Sequence, residues 1–273
     1  MFNWVLNHSP LLYFTQSLWR DEAFSLLVAQ KPLSFILQNL TFEPPVYYIL
    51  LHYWTRLSLL GFALATVVVI SWSEKLFNKH WLSWFTPLLF FTNPMLLYYA
   101  FEIRTFGWYI FFAVLSLYAC SQSKWRLWVA ASVFGFYTHT YFLFFFIAQV
   151  LHWSVLNRKK LLKPLKLFHE PMIASSILIV SIMLPWLIRV LKETAVFTNS
   201  WYFPVNFNLV KSVLGNMYLG YEGTPWYLWG FTAGLSLLLL VLFFLAIYKK
   251  GIRARNSLFL FAVIVPLALV IGV

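Results

Sequence analysis

Apolar runs recur along almost the whole of this sequence, and the stretches between them are short and carry most of its charge. A helix that crosses a lipid hydrocarbon core needs about 20 predominantly apolar residues. The clearest runs extend from Leu59 to Trp72, Trp81 to Tyr99, Phe106 to Cys120, Trp125 to Tyr137, Tyr141 to Leu156, Met172 to Leu191, Tyr227 to Tyr248 and Ser257 to Val273. Several fall short of about 20 residues, which implies tilt, local thinning of the bilayer, or helices that begin before the apolar run does. A further apolar stretch, Met1 to Gln16, would be only about 24 Å long as a helix at 1.5 Å per residue, too short to cross unaided. It has no preceding basic region and no small-residue cleavage site, so it does not read as a signal peptide. Of the 273 residues only 10% are charged and 62% are hydrophobic, whereas a soluble domain is about 25% charged. Water would not solvate such a surface. The expectation is an all-α polytopic membrane protein of about eight or nine transmembrane helices, a multi-pass component of the cell (plasma or inner) membrane. A lone Cys120 inside an apolar run rules out a disulfide framework.

Orientation follows from the positive charges, because short cytoplasmic loops collect Lys and Arg. Four connections are strongly basic: Lys75 and Lys79; Lys124 and Arg126; Arg158, Lys159, Lys160, Lys163 and Lys166; and Lys249, Lys250, Arg253 and Arg255. They hold thirteen positive charges against Glu74 and Glu170, and are assigned to the cytoplasm. The opposite side holds Arg20, Lys31, Arg56, Arg104, Arg189, Lys192 and Lys211 against six acids, Asp21, Glu22, Glu43, Glu102, Glu193 and Glu222. The two sides alternate without a violation. The formal charge of +12 is therefore a topology signal, and no nucleic-acid partner is needed to explain it.

That sorting isolates the chemistry, since six of the eight carboxylates fall on the non-cytoplasmic face. Residues 17–57 form a first outer loop that carries interfacial helices. Its second half, from Pro44-Pro45, reads as a proline-started helix lying at the interface, with Tyr and Trp at headgroup depth. A second outer loop, 192–226, is rich in aromatics, Asn, Gly and Pro, and would cover a site like a lid. The whole of 1–273 reads as a single transmembrane domain.

In Leu18-Trp19-Arg20-Asp21-Glu22-Ala23-Phe24-Ser25, carboxylates beside a membrane interface are costly unless used or paired. Asp21 is a candidate general base for an acceptor hydroxyl, with Glu22 shaping the field around it; as plain loop residues both would be solvated, with Arg20 a loose partner. In Phe42-Glu43-Pro44-Pro45-Val46-Tyr47-Tyr48, Glu43 lands at a helix N-terminus, where a carboxylate gains about 0.3–1 kcal/mol from the helix dipole. Taken alone, this is a plain helix start. In the stretch from Asn93-Pro94 to Glu102-Ile103-Arg104-Thr105-Phe106, an Arg at the outer end of one span can bind a lipid phosphate bidentately, and Glu102 would hold its orientation. The bland alternative is a snorkelling interfacial pair. His139, at an outer turn, is a candidate phosphate or sugar contact or simply a hydrogen-bonded interfacial histidine. No residue set has metal-ligand spacing, and there is no glycine-rich phosphate loop or Ser/His/Asp arrangement.

An LWRDEAFS loop, then EPPVYYILLHYW, then NPMLLYYAFEIRTFG at a helix junction, in this order and on one side, resembles the type C glycosyltransferase superfamily. The nearest branch is that of the bacterial relatives of protein O-mannosyltransferases and aminoarabinose transferases, the family 39 type. The resemblance covers most of 17–157. It implies a polyprenyl-phosphate-linked sugar as donor, a lipid or protein acceptor, and transfer on the non-cytoplasmic face. It also implies that Asp21 is the catalytic base and Arg104 a donor-phosphate contact, with Glu43, Glu102 and His139 as further substrate-binding candidates. A phosphate leaving group needs no proton at neutral pH, so one base suffices where a glycosidase needs two carboxylates. Inversion at the anomeric carbon is expected. A divalent metal is compatible with the resemblance, but no ligand set for a metal or other cofactor stands out.

Three features depart from the family pattern. Relatives commonly have His where Glu43 stands. They also have a Gly/Ser/Glu/Arg-containing stretch where Trp54-Thr55-Arg56-Leu57-Ser58 runs straight into the next span. Relatives are considerably longer, so the expectation is a chain truncated at both ends. A transporter or lipid flippase is the rival reading, and would place charged or helix-breaking residues near mid-span. The acids here sit at outer ends and in loops, with Pro94 and Pro185 the main exceptions. A non-catalytic scaffold is the third.

Overall fold

The computed structural model describes residues 18–40, 43–54, 57–77, 81–161, 170–194, 206–220, 224–250 and 254–272. The Met1 to Gln16 stretch, Phe42, Arg56, Lys79, Lys163, Lys166, Glu222, Arg253 and the 195–205 part of the second outer loop lie outside them. Every regular element among the described residues is helical. In chain order they are α1 (Arg20–Ala29), α2 (Leu33–Asn39), α3 (Pro45–Tyr53), α4 (Leu57–Leu76), a 3-10 turn (Trp81–Trp84), α5 (Phe85–Phe91), α6 (Pro94–Phe101), α7 (Phe106–Ser121), α8 (Trp125–Thr138) and α9 (Phe142–Leu156). They continue with α10 (Arg158–Leu161), α11 (Pro171–Thr194), α12 (Phe207–Met217), a second 3-10 turn (Trp226–Leu228), α13 (Trp229–Lys250) and α14 (Ala254–Gly272).

Among the described residues, three helical stretches are long and apolar enough to cross a bilayer: Ser58–Leu76, Pro171–Glu193 and Trp226–Leu245. Phe106–Ser121, Phe142–Leu156 and Ser257–Pro266 are apolar but shorter. The run from Trp81 to Tyr99, expected as one span, is instead broken into the first 3-10 turn, α5 and α6. The break is written into Asn93-Pro94. The Asn93 side chain accepts the Leu96 N–H at 2.9 Å as an N-cap, and Pro94 opens α6 at a position where its missing N–H costs nothing. The helix expected from Pro44-Pro45 forms; Tyr47, Tyr48 and Leu51 are buried in protein, and His52, Tyr53 and Trp54 are exposed. His52 Nδ1 donates to the Ala29 carbonyl at 2.6 Å, tying α3 to the last residue of α1.

The chain divides into two compact units, one of Met1–Asn39, Tyr47–Phe111 and Tyr202–Leu242, the other of Leu40–Val46, Phe112–Trp201 and Phe243–Val273. In the first, α4 packs on α5, α6 and the 3-10 turn before them. Phe62 of α4 stacks on Phe90 at 5.4 Å between centroids. Near its N-terminal end α4 crosses the start of α7 backbone to backbone. A Cβ on Gly61 would stand 2.8 Å from the Gly107 carbonyl, and one on Gly107 would run into the Ser58 carbonyl. Only glycine permits that approach.

In the second unit, α9 packs along α14 and α8 along α11. Where lipid or protein surrounds a helix, a buried polar side chain must find its partner on a neighbouring helix. Trp128 Nε1 donates to Gln149 Oε1 at 2.6 Å, and Gln149 Nε2 donates to Ser116 Oγ at 3.0 Å, linking α8, α9 and α7. His152, one turn on, is 2.9 Å from Ser257 Oγ of α14. Pro185 inside α11 deprives carbonyls of the preceding turn of a donor; the Tyr137 hydroxyl donates to the Ile182 carbonyl at 2.8 Å.

Replacing Gln149 by Leu keeps the volume but leaves the indole N–H of Trp128 buried without its acceptor. We expect Gln149→Leu to lower stability by roughly 1–2 kcal/mol, read as a lower midpoint of thermal unfolding in detergent.

Candidate functional site

The candidate site is in the first unit, where the start of α1 meets the four residues Glu102-Ile103-Arg104-Thr105 that join α6 to α7. A junction of this kind leaves backbone N–H and C=O groups without helical partners, and here side chains from other segments take them up. Glu22 is the principal one. It stands at the third position of α1, where its Oε2 reaches back to accept the Trp19 N–H at 2.9 Å, half of a capping box. Its Oε1 accepts the Ile103 N–H, also at 2.9 Å, across 81 positions of sequence. The residue is 4% exposed. From the other side, Ser58 Oγ at the start of α4 donates to the Arg104 carbonyl at 2.8 Å and lies 3.3 Å from the Tyr47 hydroxyl. The junction is thus held through the amide of one residue and the carbonyl of the next, and the Gly61–Gly107 crossing brings Ser58 within reach.

On this frame the charges converge. Arg104 Nη2 lies 3.5 Å from Asp21 Oδ2, and its Nη1 lies 3.6 Å from Glu102 Oε2. The guanidinium also stands over the Phe106 ring at 4.6 Å, and that ring packs on Tyr99 at 4.2 Å between centroids. Exposure separates the roles: the Asp21 side chain is 51% exposed and that of Arg104 28%, while Glu102 is buried at 3%. Arg20, at 87%, touches Asp21 Oδ1 only at 3.4 Å and faces solvent. An ion pair this exposed contributes about 0.2–1 kcal/mol, so Asp21 and Arg104 can part for a ligand at small cost. Glu102 and Phe106 would keep the guanidinium in place when they do.

Of the residues singled out from sequence, Asp21, Glu22, Glu102 and Arg104 come together. Glu22 is not the solvated loop acid of the bland reading, because it is buried and both its oxygens accept backbone amides. Glu43 and His139 belong to the second unit. Glu43 is exposed and precedes the proline start of α3. His139 terminates α8, where its Nδ1 accepts the Tyr141 N–H at 3.2 Å and its ring lies 5.1 Å from that of Tyr141. Among the described residues no group of three His, Cys, Asp or Glu side chains could hold a metal. Ser58, Tyr47 and Phe106 were not foreseen. A serine opening an apolar run is a generic helix start, and nothing in its neighbours reveals that it serves residue 104.

No known family model matches the chain, and comparisons with curated proteins and with solved structures find no similar one either.

If Glu22 holds the junction as described, Glu22→Ala frees two amides at once. A hydrogen bond to a charged group contributes about 1.5–3 kcal/mol, so amide hydrogen exchange at Trp19 and Ile103 should quicken by roughly tenfold or more, while exchange within α9 stays unchanged.

Proposed function

We propose that the protein is a membrane glycosyltransferase of the type C superfamily. In this reading it moves a sugar from a polyprenyl-phosphate donor to an acceptor hydroxyl on the non-cytoplasmic face, with inversion. The observation that carries it is the pairing of a half-exposed carboxylate, Asp21, with a partly exposed guanidinium, Arg104, on a frame fixed by Glu22 and Ser58. The three spanning-length helices and the three shorter apolar ones support multiple crossings, six among the described residues if the shorter helices tilt or thin the bilayer. The distribution of basic connections supports reading the Asp21 side as the non-cytoplasmic one.

The chemistry follows from the geometry. A phosphate matches the guanidinium fork better than a single carboxylate oxygen at 3.5 Å. Donor binding therefore draws Arg104 onto the phosphate and releases Asp21 Oδ2. The freed carboxylate takes the proton of the acceptor hydroxyl as its oxygen attacks the anomeric carbon. The bond from that carbon to the phosphate oxygen breaks with its electron pair on the phosphate, which leaves as the lipid monophosphate. Arg104 stabilises the charge that develops there. Glu102, buried against Nη1, orients the fork. The substrates are thus a lipid-borne sugar and a lipid or protein hydroxyl.

The rival reading, a transporter or flippase, draws on His152, an ionisable side chain buried among apolar helices with Ser257 as its partner. The two readings separate in one assay: transfer from a radiolabelled polyprenyl-phosphate sugar in membranes containing the protein. A transferase loses about 10²–10⁴-fold in rate with Asp21→Asn. It shows a raised KM for the donor with Arg104→Lys, which keeps the charge but not the fork, and keeps near-normal transfer with His152→Phe. Undiminished transfer by the Asn variant would remove Asp21 as the base.

A further inference from the structure

We propose that α12 is an interfacial helix whose apolar stripe is seated in the lipid acyl region beside the point where α13 enters the bilayer. The second outer segment would then anchor to lipid at this helix instead of closing over the site as a lid. The inference rests on reading the chain as a membrane protein. It concerns a surface remote in sequence from the carboxylates.

Three sectors of α12 separate at 3.6 residues per turn. Phe207, Val210, Val213, Leu214 and Met217 form one stripe, and Asn208, Ser212 and Asn216, spaced at i, i+4 and i+8, form another. Between them lie Lys211 and Gly215, which make the contact with α13. A Cβ on Gly215 would stand 2.8 Å from Thr232 Oγ1 and 3.2 Å from the Trp229 carbonyl, and one on Gly230 would stand 3.4 Å from Lys211 Cε. The helix therefore packs on the first turns of α13 through its narrow sector and leaves both other sectors unpacked by that contact. An isolated helix would not turn Phe207, 80% exposed, or Val210 and Val213 toward water.

What covers the stripe is indicated by its neighbour. Trp226–Leu245 is one of the three spanning-length stretches, and only 17% of it is buried inside the protein. Its outer end carries Trp226 and Tyr227, exposed at 76% and 67%, with Phe231 at 68% one turn further. Amphipathic aromatics followed by an apolar ring mark the depth at which a span passes from headgroups to acyl chains. The stripe of α12 is carried on a helix packed against the first turns of that span, and its polar row of Asn208, Ser212 and Asn216 faces away from the apolar stripe, as an interfacial helix requires. Asn206 caps the helix by accepting the Leu209 N–H at 3.0 Å, so α12 starts at a defined residue.

The test uses single-cysteine variants in a Cys120→Ala background, labelled with an environment-sensitive fluorophore in phosphatidylethanolamine–phosphatidylglycerol vesicles with or without acyl-chain bromine. Labels on Phe207→Cys and Val210→Cys should be quenched severalfold more by brominated lipid than by aqueous iodide, and labels on Asn208→Cys and Ser212→Cys should show the reverse. Leu238→Cys, at an exposed position within α13, is the control for the span itself. Iodide quenching at position 207 equal to that at position 208, with position 238 quenched by bromine, overturns the anchor alone. Absence of bromine quenching at position 238 overturns the membrane reading along with it. An oxidative cross-link between two Phe207→Cys chains would assign the stripe to a second copy instead, and overturns the lipid assignment.

Discussion

A buried carboxylate with both oxygens committed to backbone amides is the constraint on which the candidate site depends. An ionised acid taken out of water is expensive unless every lone pair that matters is used, and Glu22 meets that condition by accepting from Trp19 and from Ile103. One of those bonds is local and starts α1. The other closes 81 positions of sequence and ties that helix start to the α6–α7 junction. Asp21 and Arg104 are each one residue away from the atoms so bonded. Their separation of 3.5 Å follows from Glu22 more than from their own attraction, which at this exposure is weak. The division of labour is physical: the strong, buried charge–amide bonds set position, and the weak, exposed ion pair stays free to exchange partners.

The same rule organises the second unit with neutral groups. Gln149 carries a donor and an acceptor at one point of α9, and it uses them on Ser116 and Trp128 of two other helices. His152 does likewise toward α14. Hydrophobic burial cannot discriminate one apolar helix face from another when every face is apolar, so the few polar side chains and the close glycine contacts supply the register. The crossing of Gly61 on Gly107 plays that part in the first unit.

Much of the site was legible in the sequence, and for a definite reason. In a chain with eight carboxylates, each acid near an apolar run stands out, and Asp21, Glu22, Glu102 and Arg104 do meet. The run from Trp81 to Tyr99 reads as a single span from its apolar character, and the structure breaks it, because a capping Asn followed by Pro ends one helix and starts another even inside an apolar run. The burial of Tyr47 and Tyr48 inside the protein was not legible for a related reason. Aromatic side chains beside prolines look alike in sequence whether they meet headgroups or protein. Ser58 and Phe106 carried no signal, since what they do depends on Arg104, 46 positions from the one and two from the other.

By itself, then, the amino-acid order determined the helical character of the chain, its spanning-length apolar stretches, the alternation of basic and acidic connections, and the shortlist of residues able to do acid–base or phosphate chemistry. Those properties are local: they depend on residue type, period and run length, which need no partner to be expressed. Only the tertiary structure decided which carboxylate is a clamp and which is free. Glu22 and Asp21 are adjacent and chemically near-identical, and nothing in their order distinguishes them. The difference arises when the Ile103 amide arrives beside one and the Arg104 guanidinium beside the other, because burial with two donors fixes a carboxylate, whereas exposure with two loosely held arginines leaves it available.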